Sequence, residues 1–145
     1  MNDINLHPEV VVGIFLKNKS GQIALFKSRK WKGIWTNIGG HVEYGEKLLQ
    51  AVKREAREEA GVELKDIQFI CHGELINNPN FFRNTHLIYF HFLGSVDTNE
   101  LKIDNDEISE YRWFDIDQIL KLKNIDKHLM DTIIGKIKKI LIDGK

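Results

Sequence analysis

Residues 40–62 read "GHVEYGEKLLQAVKREAREEAGV", and "REAREEAG" at 54–61 sets three glutamates and two arginines around two alanines. The stretch predicts a helix from Glu46 to Ala60. Leu49, Val52, Ala56 and Ala60 recur three or four apart as an apolar stripe, and Gly45 and Gly61 flank the segment as start and stop signals. On such a helix Glu55, Glu58 and Glu59 stand at i, i+3 and i+4, which is one face. By the 3.6-residue wheel this row lies about a third of a turn from the apolar stripe and borders the core. Like charges so placed oppose the helix by about 0.2–0.5 kcal/mol per pair in water. Half-desolvated, at ~5–6 Å and an effective dielectric near 20, each pair would cost about 3 kcal/mol. The row therefore either stays in water or gathers a cation. Without a cation, at least one of these carboxyls should have a raised pKa.

Upstream, Val10 to Leu16 is β-branched and apolar and ends at the turn "KNKSGQ", so "IALFKS" reads as the second arm of a hairpin. "RKWKGIWTNIGGHVEYG" (29–45) is too rich in glycine for one regular element and reads as a loop with one short strand near Asn37 and Ile38. Downstream, "IQFICHGEL", "THLIYFHFLGSV" and "EYRWFDI" read as strands, the second apolar on both faces, as a central strand is. Residues 125–142 read as a closing amphipathic helix with Leu129, Met130, Ile133, Ile137 and Ile140 on one face. This order predicts an α+β fold, a mixed β-sheet sandwiched between helices, rather than a βαβ repeat.

The 145 residues suit a single domain, 1–145, and the 42% hydrophobic, 29% charged composition is that of a globular protein. Lys plus Arg equals Asp plus Glu at 21 each, so no global basic field calls for polymeric nucleic acid. The lone Cys71 excludes an intramolecular disulfide and suits a cytoplasmic setting. The chain has no basic-then-apolar leader and no apolar run of membrane-spanning length, so no membrane partner is expected.

Written as spacing, Gly40, Glu46, Arg54, Glu55, Ala56, Glu58, Glu59, Gly61 and Val62 follow G-x5-E-x7-R-E-U-x-E-E-x-G-U, where U is aliphatic. This pattern resembles the box of the Nudix (MutT-like) hydrolases. "GIWTNIGGHVEYGE" is similar to the approach to that box, with Ile38 where many members have proline, and "DEISEYRWFDIDQIL" is similar to a later acidic-to-Trp segment. The resemblance implies a Nudix-type α-β-α fold and hydrolysis of a diphosphate bond in a nucleoside diphosphate linked to another group. It implies Mg²⁺, with Mn²⁺ as substitute, held by Glu58 and Glu59, by Glu55 as ligand or proton acceptor, and by the Gly39 carbonyl. Three carboxylates on one helix face are in any case the hard oxygen donors these ions take. The resemblance further implies that Glu46 orients Arg54, and that a later carboxylate serves as general base, with Glu107 preferred to Asp106 and Glu110.

Candidate substrate contacts are Arg29, Trp35, Gly40 and His41, with Lys27 and Trp31 beside them; basic side chains near turns are also often only solvated, and tryptophans often core. Trp113, His86 and His91 read as structural or surface groups. "NNPNFFRN" (77–84) reads either as a lid or base pocket or as a hairpin end with one Phe tucked inward. The chain resembles nucleoside triphosphate pyrophosphatases in length and in its final third, which points to a (d)NTP. Pro79 points weakly to the alternative, ADP-ribose or another nucleotide sugar. A rival of another kind is a catalytically silent nucleotide-binding module, which tends to lose box glutamates that this chain keeps. The expected partner is thus a small nucleotide, the expected assembly a monomer or homodimer.

Overall fold

Period-two alternation along the strands sorts their side chains between two cores, one on each face of a sheet. In the computed structural model, which describes residues 7–143, β1 (Glu9–Lys17) sends Val12, Ile14 and Leu16 into one core and Phe15 into the other. β2 (Ile23–Ser28) does the same with Ala24 and Phe26 against Ile23 and Leu25. The first core is closed by α1 (Leu48–Ala60) through Ala51, Val52, Ala56 and Ala60. The second is closed by the C-terminal helical segment through Leu129, Ile133, Ile134 and Ile137. The result is the expected mixed sheet between helices.

β1 is the hub. It pairs antiparallel with β2, antiparallel with β4 (Ile38–His41), and parallel with β6 (His86–Ser95). β2 carries β3 (Trp35–Thr36) and β7 (Ile108–Phe114), and β6 carries the edge strand β5 (Lys65–Ile76). The segment 29–45, read from sequence as mostly loop, therefore holds two short strands. Gly39 is what allows the second: a Cβ there would lie 2.1 Å from the Val12 carbonyl oxygen on β1.

Two helix readings need correction. α1 begins at Leu48, after Lys47 N–H donates to the Gln50 side chain at 2.7 Å, not at Glu46. Leu49 is 49% exposed, and Leu48 and Ala51 face the core instead. The buried stripe is thereby rotated toward the glutamates. The closing segment is not one regular helix: a wide π-type turn, Leu129–Ile133, runs into α3 (Ile134–Asp143). Asp126 starts it, its Oδ2 accepting the Leu129 N–H at 3.0 Å. A short α2 (Ile116–Ile119) follows β7. No helix among the described residues is long and apolar enough to cross a membrane.

Candidate active site

The rotation of α1 splits the glutamate row. Glu55 is only 9% exposed and Glu59 is half-buried, while Glu58 points to solvent. Glu59 Oε1 accepts the Gly39 N–H at 2.9 Å, and a Cβ on Gly40 would fall 2.2 Å from Glu55 Oε2. The two glycines of β4 thus let the helix carboxylates close onto strand backbone. Burial, and then the neighbouring Glu55 charge, pushes the Glu59 carboxyl up to about 8. Burial raises Glu55 too, against the pull of Arg54 and with the Glu58 charge adding to it. The crowding read from the sequence is therefore real for the inner pair.

Arg54 ties this edge together. Its Nε donates to Glu46 Oε2 at 2.7 Å and its Nη2 to Glu46 Oε1 at 3.0 Å, a bidentate pair. Nη2 also donates to the His41 carbonyl at 3.0 Å, and Nη1 to Glu58 Oε1 at 2.9 Å and Glu55 Oε2 at 3.3 Å. Held chiefly by Arg54, the Glu46 carboxyl falls to about 2. Glu46 and Arg54 thus fix the helix to the turn before it.

The edge offers only oxygen donors, two of them desolvated and mutually repelling, which suits a hard divalent cation such as Mg²⁺ or Mn²⁺. Among the described residues no three acidic, histidine or cysteine side chains are already drawn around one point. Arg54 holds Glu58 Oε1 instead.

Of the three later carboxylates, the fold brings Glu107 to this edge. The 101–107 segment hangs from the end of α1, with Lys102 N–H on the Ala60 carbonyl at 3.0 Å and Asp104 N–H on the Glu59 carbonyl at 3.1 Å. Glu107 is close enough to add to the raised pKa of Glu59, and it lies 3.7 Å from Lys30 Nζ. Glu110 turns to Lys27 and Arg112 on the strand, and Asp106 lines a shallow cleft with Arg29 and Lys32, of which Glu107 forms the wall toward the edge.

Beyond Gly39 and Gly40 a cavity opens between β1, β6, the closing helical segment and the loops around 30 and 80, lined by Trp31, Phe81, Tyr89, His91 and His128. Gly40 and the exposed His41 stand on its border, His41 paired with Glu9. Two expected contacts are elsewhere. Trp35 is buried in the second core, edge-on to Phe114 at 5.2 Å, with Lys27 Nζ 4.7 Å above its ring, so it offers no face to a base. Arg29 faces the shallow cleft. The tryptophan at the cavity is Trp31, whose ring lies 4.8 Å from that of Phe81. In "NNPNFFRN" both readings meet: Phe81 is tucked in and forms cavity wall, and Phe82 is exposed.

Of two further cavity residues, Asp126 leaves no mark in the sequence, and His91 reads there as a structural or surface group. Asp126 is buried and accepts from Asn78 Nδ2 at 3.1 Å and Asn80 Nδ2 at 3.0 Å, pinning the 77–84 loop to the closing helical segment. His91 is buried, its ring packed where a Gly13 side chain would be, its pKa pulled down to about 3 by burial. Its Nδ1 has no hydrogen-bond partner. The structural reading of His91 holds, though its place on the cavity wall was not legible. Only its opposition to Gly13 across β1 and β6 could have exposed it.

The NUDIX domain family matches residues 7–133. A curated relative, the NAD-capped RNA hydrolase NudC of Pseudomonas aeruginosa, is 29% identical over 90% of this chain and 45% of its own length. The chain thus spans less than half of that relative. Among solved structures, a MutT NUDIX hydrolase from Burkholderia pseudomallei superposes with a TM-score of 0.74 at 26% identity, covering 90% of this chain and 98% of that one. The NUDIX domain of Shewanella oneidensis NrtR, solved with ADP ribose, shares the fold at a TM-score of 0.74 and 18% identity, over 93% of this chain and 89% of that one.

Proposed function

The chain belongs to the Nudix hydrolase family, and from that premise we propose that it is a Mg²⁺-dependent pyrophosphohydrolase of a small nucleotide, cleaving a diphosphate bond in a nucleoside diphosphate linked to another group. The observation that carries this is the α1 edge, where Glu55 and Glu59 are desolvated against Gly39 and Gly40 at the mouth of an aromatic cavity. In this reading Glu55, Glu58, Glu59 and the Gly39 carbonyl would hold the ion. When bound, a divalent ion offsets the charge of a diphosphate and acidifies water. Glu107 takes the proton of the attacking water, being the later carboxylate that the 101–107 backbone suspends beside Glu59. Arg54, braced by Glu46, keeps the edge in register with the end of β4 through the His41 carbonyl. Gly40 and His41 border the path of the substrate.

The aromatic cavity beside the carboxylate edge offers a place for one base. Together with the likeness of the final third of the chain to nucleoside triphosphate pyrophosphatases, it is read as the site of a (d)NTP, giving a nucleoside monophosphate and pyrophosphate. The second reading, a dinucleotide or ADP-ribose type of substrate, is favoured by the NudC relatives, whose name puts the diphosphate in an NAD cap. The even charge balance speaks for the free nucleotide over a polymer. A panel of dNTPs, ADP-ribose, sugar nucleotides, NAD and NAD-capped RNA, each with and without Mg²⁺, decides the substrate. For the best substrate, Glu58→Gln should lower kcat by more than about a hundredfold, which corresponds to about 2.7 kcal/mol of transition-state stabilisation. Binding without turnover across the whole panel would instead identify a silent module.

A further inference from the structure

Four cations crowd positions 27–32, and the structure gives each a different surrounding. Lys27 lies over Trp35 and beside Glu110. Arg29 faces the shallow cleft, and Lys32 Nζ donates to the Pro79 carbonyl at 2.9 Å. Lys30 lines the aromatic cavity, where it is the one lysine or arginine among the described lining residues. It also reaches the carboxylate edge: its Nζ lies 3.7 Å from Glu107 Oε2.

Its backbone is clamped from both sides. The Lys30 carbonyl accepts the Phe82 N–H at 2.8 Å, and the Arg29 N–H donates to the Glu107 carbonyl at 3.2 Å. The neighbouring Trp31 ring meets Phe81. A long, half-exposed side chain thus stands on fixed backbone where the cavity meets the carboxylates.

We infer that Lys30 is the phosphate-holding residue of this site, binding the phosphate next to the nucleoside and exchanging Glu107 for it when substrate enters. The inference rests on the diphosphate reading above and adds an orientation to it: base toward Trp31 and Phe81, phosphates toward Gly39 and the glutamates. The exchange is easy, because a 3.7 Å pair exposed on both sides contributes little, whereas a diphosphate carries more charge than one carboxylate. It also has a catalytic consequence. Glu107 gives up its ion-pair partner as substrate arrives and its carboxylate can turn to the attacking water.

The test uses inorganic pyrophosphate with saturating Mg²⁺ as a base-independent probe, titrated calorimetrically into wild type, Lys30→Met, Lys30→Arg and Lys121→Met, an exposed lysine that controls for lost charge. Removing one charge-assisted contact should weaken pyrophosphate about 10–100-fold in Lys30→Met, while Lys30→Arg stays within about threefold of wild type. Lys121→Met should bind as wild type does. With the substrate found by the panel, Lys30→Met should raise KM more than it lowers kcat. Unchanged pyrophosphate affinity in Lys30→Met, or equal losses in the Met and Arg variants, overturns the inference. An inactive wild type that still binds pyrophosphate through Lys30 would overturn the enzymatic reading and leave this one standing.

Discussion

Changing Glu59 to Gln removes a titrating group yet keeps the oxygen that accepts the Gly39 N–H. In the unfolded chain this carboxyl ionises near its ordinary 4.5, and in the fold it holds its proton up to about 8. Between those values the unfolded state has released a proton that the folded state retains. Each step upward in pH therefore favours unfolding, and the loss is complete only above about pH 8. With those two pKa values, the linkage relation gives a destabilisation of roughly 1 kcal/mol at pH 5 and roughly 4 kcal/mol at pH 8. Wild type should therefore lose roughly 3 kcal/mol relative to Glu59→Gln over that interval, a fall in Tm of roughly 10 °C for a domain of this size. Urea unfolding of both proteins in EDTA at pH 5 and pH 8 measures it. If the stability gap between them is the same at the two pH values, Glu59 is not the desolvated acid described above.

Two further outcomes follow from the same geometry. Near neutral pH, Mg²⁺ should raise the Tm of wild type, by the equivalent of about 2.7 kcal/mol at a hundred times its Kd, and should do less for Glu59→Gln; a melting curve indifferent to millimolar Mg²⁺ would speak against the carboxylate edge as the ion site. Gly13→Ala would set a Cβ 2.0 Å from His91 Nδ1 and 2.7 Å from Asn37 Nδ2, both packed against the strand, so it should cost about 1–3 kcal/mol of stability. Adding His91→Ala should recover part of that loss, and a purely additive double variant would show that the clash is not with the ring.

Local spacing was legible; where faces point in three dimensions was not. The spacing within residues 40–62 sufficed to place Arg54 and the three glutamates on one helix, because helical neighbours are fixed by chain geometry. It put Glu46 on that helix too, whereas Glu46 sits in the turn before Leu48. The same wheel put Leu49 in the core, since a leucine at stripe spacing cannot be told from one a residue away, Leu48, until the sheet beneath is known. Trp31 and Trp35 show the same limit. Both sit in a basic, glycine-rich stretch, and only the pairing of β3 with β2 decides that Trp35 turns inward. Contacts distant in the chain, such as Asp126 with Asn78 and Asn80 or Lys30 with Glu107, leave no periodic trace at all. Glu107 was singled out from Asp106 and Glu110 by resemblance; its physical reason, a loop suspended from the α1 terminus, lies in backbone hydrogen bonds that no side-chain pattern encodes.

The central claim is that the acidic edge of α1 gathers a divalent ion onto which a diphosphate docks. An anomalous difference map at the manganese edge, from crystals soaked in Mn²⁺ and a non-hydrolysable nucleotide, tests it most directly. A peak should appear within ligand distance of Glu58 and Glu59 carboxylate oxygens, shared with phosphate oxygens. A bare edge with the nucleotide seated in the cleft of Arg29 and Asp106 would contradict it.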